Sequence, residues 1–347
     1  MPASRRWALR LVLLSLPLLA LGAAEVSARV FFHFTYGVPG HRYGMSKYDP
    51  VLGAAPRELS YSQTAHLNDY AFRNSENVFQ PKPAGSLRLI TYGGSTVFCH
   101  DLRNDESWSI RLQELLRSRR PGGERDQVLN GGVVAWSLGH SFERARRDVP
   151  ALQPDAVIIY AGVNEESNAA YLEREGTPMD ELVSRGEYGR FTRQLATATP
   201  LRDVLLYKFL RDRVFVRVQQ AAHPEGPASA GGAPVPAVLT NYLETLRQFI
   251  VYLREHGATP IFVKEVYDHA NTTTVGRQRQ LSYSATAATM VEGWGATLVD
   301  PTNAFLAAAA EGRQLFMPSG VHVNVEGARL MADVIYAKVY GATAADK

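Results

Sequence analysis

The chain has 347 residues, of which 46% are hydrophobic and 20% are charged, a composition typical of globular proteins with a sizeable core. Its 37 basic and 34 acidic residues give a formal net charge of +3 without a long basic run, which argues against nucleic-acid binding. The single cysteine, Cys99, excludes an internal disulfide framework and a cysteine-based zinc site, and we interpret it as a small buried residue.

The N-terminus has the pattern of a targeting segment. Three arginines within the first ten residues precede an apolar run at 11–24, and the small residues that end this run would permit signal-peptide cleavage. The following EVSARVFFHF is still compatible with a helix, which favours an anchor. We predict that residues 1–30 are a signal anchor in the inner membrane, with a cleaved signal peptide as the alternative. Because the basic flank stays inside, the remaining chain is expected on the periplasmic side of the cell envelope.

Residues 31–86 are rich in Tyr, Asn, Pro and Gly without a sustained period, which predicts an irregular lead-in that wraps the domain. Regular alternation follows. In chain order it predicts strand 87–92, helix 106–117, strand 127–129, helix 141–148, strand 156–164, helix 239–256, strand 260–266, helix 277–293, strand 296–299 and helix 325–339. Strands that alternate with helices indicate an α/β fold with a central parallel sheet covered on both faces.

Residues 167–238 interrupt this alternation with a charged segment, an amphipathic stretch and the low-complexity HPEGPASAGGAPVPA. The last of these has the composition of a flexible linker. We interpret the region as an insertion that projects from the sheet of a domain spanning residues 87–345.

Four loops of this domain carry the residue types that acyl transfer needs. Three follow predicted strands and one precedes the last helix, and the carboxyl ends of parallel strands meet at one edge of a sheet. The loops contain Ser95, Gly132, Asn164 and His322. Ser95 is the candidate nucleophile and His322 the candidate base. The backbone amides of Ser95 and Gly132 and the side chain of Asn164 are the candidate oxyanion donors.

These four loops resemble the motif blocks of the SGNH, or GDSL-type, serine hydrolase superfamily. The serine, glycine, asparagine and histidine blocks are GGST at 93–96, NGG at 130–132, GVNE at 162–165 and SGVHVN at 319–324, with Gly94 and Glu165 where members usually carry Asp. The preceding LNDYAFRNSE is similar to segments of membrane-anchored bacterial members of the GGS branch. The resemblance covers about residues 87–340 and implies a flavodoxin-like three-layer α/β/α sandwich. It also implies an extracytoplasmic esterase that cleaves an acyl ester of a small molecule or glycan, such as an O-acetyl group on a carbohydrate, without a cofactor.

The chain departs from the family pattern at the third member of the catalytic triad. The family's Asp lies three residues before the histidine, and Ser319 stands there. A neutral serine cannot stabilise the imidazolium that forms when His322 takes a proton. Either Ser319 or a backbone carbonyl orients the imidazole of a Ser–His dyad, or a carboxylate from elsewhere, such as Asp268 or Asp300, approaches it.

Two other functions remain open beside the esterase, and the missing acid motivates the second of them. One is an envelope polysaccharide O-acyltransferase, in which a sugar hydroxyl resolves the acyl-enzyme. The other is a non-catalytic binding or assembly protein that has kept the SGNH fold. The α/β-hydrolase elbow G-x-S-x-G is disfavoured because residue 97 is Val. Histidines and carboxylates lack a spacing such as H-E-x-x-H, so we predict no metal site.

Overall fold

A computed structural model describes residues 3–36, 44–62, 64–174, 176–189, 204–210, 233–269 and 275–341. The chain divides into two compact units. The smaller comprises Met1–Met45, Ser60–Gln63 and Thr197–Pro227, and the larger comprises Ser46–Leu59, Thr64–Ala196 and Ala228–Lys347.

The larger unit contains two β-sheets. An antiparallel pair is formed by β1 (Ser46–Asp49) and β2 (Gly53–Pro56). Five parallel strands form the central sheet: β3 (Arg88–Gly93), β4 (Gln127–Asn130), β5 (Ala156–Tyr160), β6 (Thr259–Val263) and β7 (Thr297–Val299). Their order is β4-β3-β5-β6-β7, so the chain first moves to one side of β3 and then to the other. This is the flavodoxin-like strand order, whose ligand crevice lies where the direction changes, here between β3 and β5.

Helices cover both faces of this sheet. The helices of the larger unit are α2 (Ser95–Phe98), α3 (Trp108–Arg119), α4 (Leu138–Leu152), α5 (Glu165–Arg174), α6 (Met179–Ser184), α8 (Pro236–Glu255), α9 (Val275–Ala288), α10 (Thr302–Ala310) and α11 (Val325–Val339). Those of the smaller unit are α1 (Ala3–Tyr36) and α7 (Leu205–Leu210).

Two hydrophobic clusters form the core, one on each face of the central sheet. Successive strand residues point to opposite faces. Ile90 and Ile159 accordingly pack in one cluster with α4, α8 and α9, whereas Leu89 and Ile158 pack in the other with α3, α10 and α11. Most of the central residues of β3, β4 and β5 are apolar because both faces of the sheet are buried. The predicted three-layer α/β/α sandwich is confirmed.

The predicted elements are present with shifted boundaries. The strand predicted at 156–164 ends at Tyr160, because the backbone turns at Gly162 (φ 156°) toward α5. The sequence pattern does not predict α10, whose TNAFLAAAA has no charged residue to mark a polar face.

The helix predicted at 141–148 is longer in the structure, where α4 continues past Pro150 to Leu152. Proline has no N–H to donate to the carbonyl four residues earlier, that of Arg146. The Tyr252 hydroxyl donates to this carbonyl at 3.4 Å. A side chain of α8 thus provides the hydrogen bond that the proline cannot.

The lead-in at 31–86 is more regular than its composition predicts. Residues up to Tyr36 belong to α1, and β1 and β2 form a hairpin. Further along, the lead-in covers the outer edge of β4. Arg73 N–H donates to the Asn130 carbonyl at 2.8 Å, and the Asn74 side chain accepts from Asn130 N–H at 2.9 Å and donates to the Val128 carbonyl at 2.9 Å. The lead-in therefore pairs backbone groups of an edge strand that would otherwise be exposed.

The first part of the predicted insertion packs on the larger unit instead of projecting from it. Leu172 of α5 and Met179 and Leu182 of α6 are buried in the same cluster as α8. Gly189 N–H donates to Asn241 Oδ1 of α8 at 3.0 Å. Residues 190–203 and 211–232, with most of the predicted linker, lie outside the described residues.

The smaller unit contains the apolar N-terminal helix. Within the described residues, Ser4–Thr35 is long and apolar enough to cross a membrane by length and composition, a criterion that a signal sequence also meets. With a rise of about 1.5 Å per residue, α1 exceeds the ~30 Å hydrocarbon core of a bilayer. The Glu25 carboxylate of α1 accepts the N–H groups of Leu205 and Leu206 at 3.0 and 2.9 Å.

Candidate active site

Ser95 lies directly after β3, at the crevice between β3 and β5. Gly93 pairs with Tyr160 across these strands, and a Cβ atom on Gly93 would lie 2.0 Å from the Tyr160 carbonyl oxygen. Together with a φ of 158°, this contact restricts position 93 to glycine. The backbone then turns into α2, whose first residue is the partly exposed Ser95. The strand and the glycine turn thus present the hydroxyl at the sheet edge, as the sequence predicts.

The structure brings Ser95 and His322 together, although they are 227 residues apart in the chain. Ser95 Oγ lies 2.8 Å from His322 Nε2. His322 is held in a short loop, because its carbonyl accepts the Met317 N–H at 2.8 Å and the next residues lead into α11. The side chain of Asn324 caps α11 by accepting the Gly327 N–H at 3.0 Å.

Two groups lie near Nδ1, the other ring nitrogen of His322. Ser319 Oγ is 3.2 Å away and also accepts the His322 backbone N–H at 3.3 Å. The carboxylate of Asp101 is the second group, with Oδ2 at 3.6 Å from Nδ1. Sequence reasoning does not single out Asp101, because no motif marks the segment after α2.

Asp300 and Asp268 are the two other carboxylates considered from the sequence. Asp300 Oδ2 accepts from Lys264 Nζ at 2.9 Å, and Oδ1 accepts the Thr302 N–H at 2.9 Å. Asp268 is joined to the histidine loop through its backbone, because its N–H donates to the Gly320 carbonyl at 2.8 Å.

Asn164 lies beside the backbone of the serine turn. Its Nδ2 donates to the Trp136 carbonyl at 2.9 Å, which fixes the amide orientation and leaves its second N–H for another acceptor. A Cβ atom on Gly94 would lie 2.4 Å from this Nδ2 and 3.2 Å from the Trp136 oxygen. The close approach of Asn164 therefore explains why glycine stands at position 94, where related motifs carry Asp.

In the structure, Gly132 has a role other than the predicted one of oxyanion donor. Its N–H donates to Asn130 Oδ1 at 3.0 Å, so this hydrogen bond occupies the amide proposed as an oxyanion donor. A Cβ atom here would lie 2.4 Å from the Phe98 nitrogen and 2.8 Å from the Val97 carbonyl carbon. The geometry therefore assigns the glycine to close packing of the loop against α2.

Ala135 is the residue of the same loop with a left-handed backbone, at φ 64°. It is exposed, and its carbonyl accepts from Asn168 Nδ2 at 3.1 Å, while this Nδ2 also donates to the Asn164 carbonyl at 2.9 Å. Asn168 thus ties Ala135 to the asparagine loop. Glycine would have indicated this turn in the sequence, and alanine conceals it.

Several ionisable side chains are buried beneath the loops of the candidate site. Glu165 Oε1 accepts the Leu138 N–H at the start of α4 at 2.8 Å, and burial raises the pKa of this carboxyl to about 7. Burial, and then the charge of Glu165, raise the pKa of Glu265 to about 8. Burial lowers the pKa of His140 to about 3, so this imidazole is neutral where it stacks on Trp136. Among the described residues, no group of three His, Cys, Asp or Glu side chains could hold a metal ion.

A serine and a histidine in contact at the switch point of a parallel α/β/α sandwich form an arrangement that serine hydrolases use. The family model described as the GDSL-like Lipase/Acylhydrolase family matches residues 90–330. The chain therefore belongs to this family.

Solved structures of several hydrolases are similar to this chain at low sequence identity. Axe2, an acetylxylan esterase from Geobacillus stearothermophilus, is 16% identical with a TM-score of 0.47, over 75% of this chain and 96% of that one. The acetyl xylan esterase AlAXEase is 14% identical with a TM-score of 0.46, over 73% and 100%. LAE5, an alpha/beta hydrolase from the metagenome of Lake Arreo, Spain, is 17% identical with a TM-score of 0.45, over 73% and 94%. No curated protein matches the chain.

Proposed function

We propose that the chain is an extracytoplasmic serine esterase in which Ser95 is the nucleophile and His322 is the base. The 2.8 Å contact between Ser95 Oγ and His322 Nε2 carries this proposal. An imidazole with its proton on Nδ1 has a free lone pair on Nε2 and accepts the serine proton. Ser319 Oγ, which lies 3.2 Å from Nδ1, favours this tautomer by accepting the Nδ1 proton.

The proposed reaction follows from these positions. Ser95 Oγ attacks the ester carbonyl carbon while its proton moves to His322 Nε2. The tetrahedral intermediate collapses, the C–O bond to the alcohol breaks, and the alcohol leaves with the proton from Nε2. Water then attacks the acyl-Ser95 ester, again giving a proton to His322, and the carboxylic acid departs as the serine regains its proton. Each half-reaction returns the histidine to its neutral form.

We assign the oxyanion of the tetrahedral intermediate to three hydrogen-bond donors. Two are the Ser95 backbone N–H and the second N–H of Asn164 Nδ2, whose first N–H is held by Trp136. Because the Gly132 amide already donates to Asn130, we place the third donor at the backbone N–H of Ala135, in the exposed left-handed turn. A structure of the Ser95 phosphonate adduct tests this assignment. A phosphonyl oxygen more than about 3.2 Å from the Ala135 nitrogen would exclude that donor.

Labelling with a fluorophosphonate tests the nucleophile directly. The purified protein is treated with the probe, digested and analysed by mass spectrometry, and its hydrolysis of p-nitrophenyl acetate and of O-acetylated oligosaccharides is measured. We expect the adduct on the Ser95 peptide and release of acetate. Ser118→Ala, at an exposed position of α3, serves as the matched control and should still be labelled. A folded protein that remains unlabelled refutes the proposal in favour of a binding protein, whereas a label on another serine refutes Ser95 as the nucleophile.

We also propose that α1 anchors the enzyme in the inner membrane with the larger unit on the periplasmic side. The apolar span Ser4–Thr35 and the basic residues Arg5, Arg6 and Arg10 support this orientation. The full-length protein is expected to stay in the membrane pellet after an alkaline carbonate wash and to keep its N-terminus by intact mass. Release into the soluble fraction with a mass that lacks the first 20 to 30 or so residues would show a cleaved signal peptide instead.

A further inference from the structure

The acid that the sequence lacks at position 319 has a counterpart elsewhere in the site. Asp101 Oδ2 lies 3.6 Å from His322 Nδ1, the nitrogen that faces away from Ser95. This spacing is that of an ion pair and is longer than a direct hydrogen bond. The two side chains are partly shielded from solvent, with relative exposures of 37% for Asp101 and 22% for His322.

We infer that Asp101 is a positioning residue of the catalytic centre. Its carboxylate lies on the segment after α2 and stabilises the protonated form of His322. This inference rests on the proposed function. In the reaction His322 gains a proton and becomes positive, and a carboxylate at ion-pair distance favours that charged form. Ser319 Oγ, at 3.2 Å, holds the ring, and Asp101 supplies the charge that a serine lacks.

The segment that carries Asp101 is fixed at both ends. Cys99 ends α2 in a left-handed conformation (φ 54°), and its carbonyl accepts the Leu102 N–H at 3.0 Å. The fully buried guanidinium of Arg73 donates to the carbonyls of Phe98 and Leu102, which flank the segment on both sides. The same guanidinium lies 4.8 Å from the centre of the Phe98 ring. A buried cation that binds two carbonyls therefore holds Asp101 in place from the lead-in.

Other titratable groups lie close to this contact. Asp101 Oδ1 lies 3.3 Å from His100 Nδ1, so the two carboxylate oxygens contact different histidines. Asp268 is on the segment whose backbone joins the histidine loop at Gly320. A test of Asp101 must therefore separate its charge from those of His100 and Asp268.

The test compares Asp101→Asn with Asp101→Glu, Asp268→Asn and Asp105→Asn. Asp105 is the matched control, because it lies four residues further along the same segment and pairs with Arg103. For Asp101→Asn we expect kcat to fall roughly 10- to 100-fold at neutral pH with KM little changed. The acid limb of the kcat/KM profile should move to lower pH by about one unit, because the imidazolium loses a nearby negative charge. Asp101→Glu should restore part of the rate, and Asp105→Asn should match the parent enzyme.

The pKa of His322, followed by NMR in the parent protein and in each variant, supplies a readout that does not depend on turnover. A fall in this pKa in Asp101→Asn supports the inference even if the ester substrates are wrong. An unchanged pKa and an unchanged acid limb in folded Asp101→Asn would overturn it, as would a shift seen only in Asp268→Asn. If the probe does not label Ser95 in the parent protein, the proposed function is refuted. The His322 titration then still tests the inference about Asp101.

Discussion

Ser95→Ala, His322→Ala and the double variant are expected to lose the same large factor in kcat for ester hydrolysis, on the order of 10³- to 10⁶-fold. The two side chains act as one unit, since the hydroxyl is a weak nucleophile until Nε2 accepts its proton over the 2.8 Å contact. Once either partner is lost, removing the other changes little. Steady-state kinetics with p-nitrophenyl acetate, at equal amounts of folded protein, measure the three losses.

The pattern of the three losses separates this mechanism from its alternatives. Losses that multiply in the double variant would mean that the two residues act independently, and a rate unchanged by Ser95→Ala would place the chemistry elsewhere. Residual activity above the rate in water is expected in all three variants, because the oxyanion donors at Asn164 and the Ser95 turn remain. Ser118→Ala is the matched control and should keep the parent rate, because its exposed hydroxyl bonds to carbonyls of its own helix.

The fold could be predicted from the sequence because a doubly covered sheet leaves a strong local signal. Strands β3 and β5 are buried on both faces, so β5 is the continuous apolar run AVIIY and β3 has apolar residues at Leu89 and Ile90. The signal fails where local pattern is weak. The alanine-rich α10 has no polar face to reveal its period, and the end of α4 depends on the Tyr252 hydroxyl, which belongs to a helix about 100 residues away.

Some residues of the candidate site could likewise be predicted from the sequence, and others could not. Ser95, Asn164 and His322 follow from their places at strand ends and in the motif blocks, and the structure brings their loops together. Asp101 could not be predicted, because its only mark is proximity to His322, more than 200 residues later in the chain. The occupied amide of Gly132 also could not be predicted. Whether an N–H is free depends on the position of the Asn130 side chain, which motif spacing does not encode.

Glu265→Gln is expected to stabilise the protein at alkaline pH and to flatten the pH dependence of its stability. Glu265 is buried, with a relative exposure of 5%. Its Oε2 has no hydrogen-bond partner among the described residues. The charge of a second buried carboxyl, Glu165, raises the pKa of Glu265 further, and the charges of both carboxylates help to raise the pKa of the Tyr242 phenol. Burying a charge without a cation is costly, so the neutral form is favoured in the folded state.

The raised pKa of Glu265 determines whether the free energy of unfolding rises or falls with pH. Burial and Glu165 raise the pKa of Glu265 to about 8, above its ordinary value of 4.5. Between these two values the folded protein binds a proton that the unfolded chain releases, so the free energy of unfolding falls as pH rises. The contribution is fully present below about pH 4.5 and is lost by about pH 8. Glu165, with a pKa raised to about 7, adds a loss of the same sign.

Thermal unfolding of the parent protein and of Glu265→Gln at pH 5.5 and pH 8.5 measures this effect. Glutamine keeps the size of the side chain and the carbonyl that accepts the Val163 N–H, and it carries no charge. At pH 8.5 we expect the variant to be more stable by roughly 2–4 kcal/mol, which raises Tm by about 5–10 °C, whereas the two proteins should be close at pH 5.5. Glu255→Gln, exposed at the end of α8, is the matched control and should not alter the pH dependence. Parallel Tm curves for the parent and Glu265→Gln would show that Glu265 does not titrate in this range.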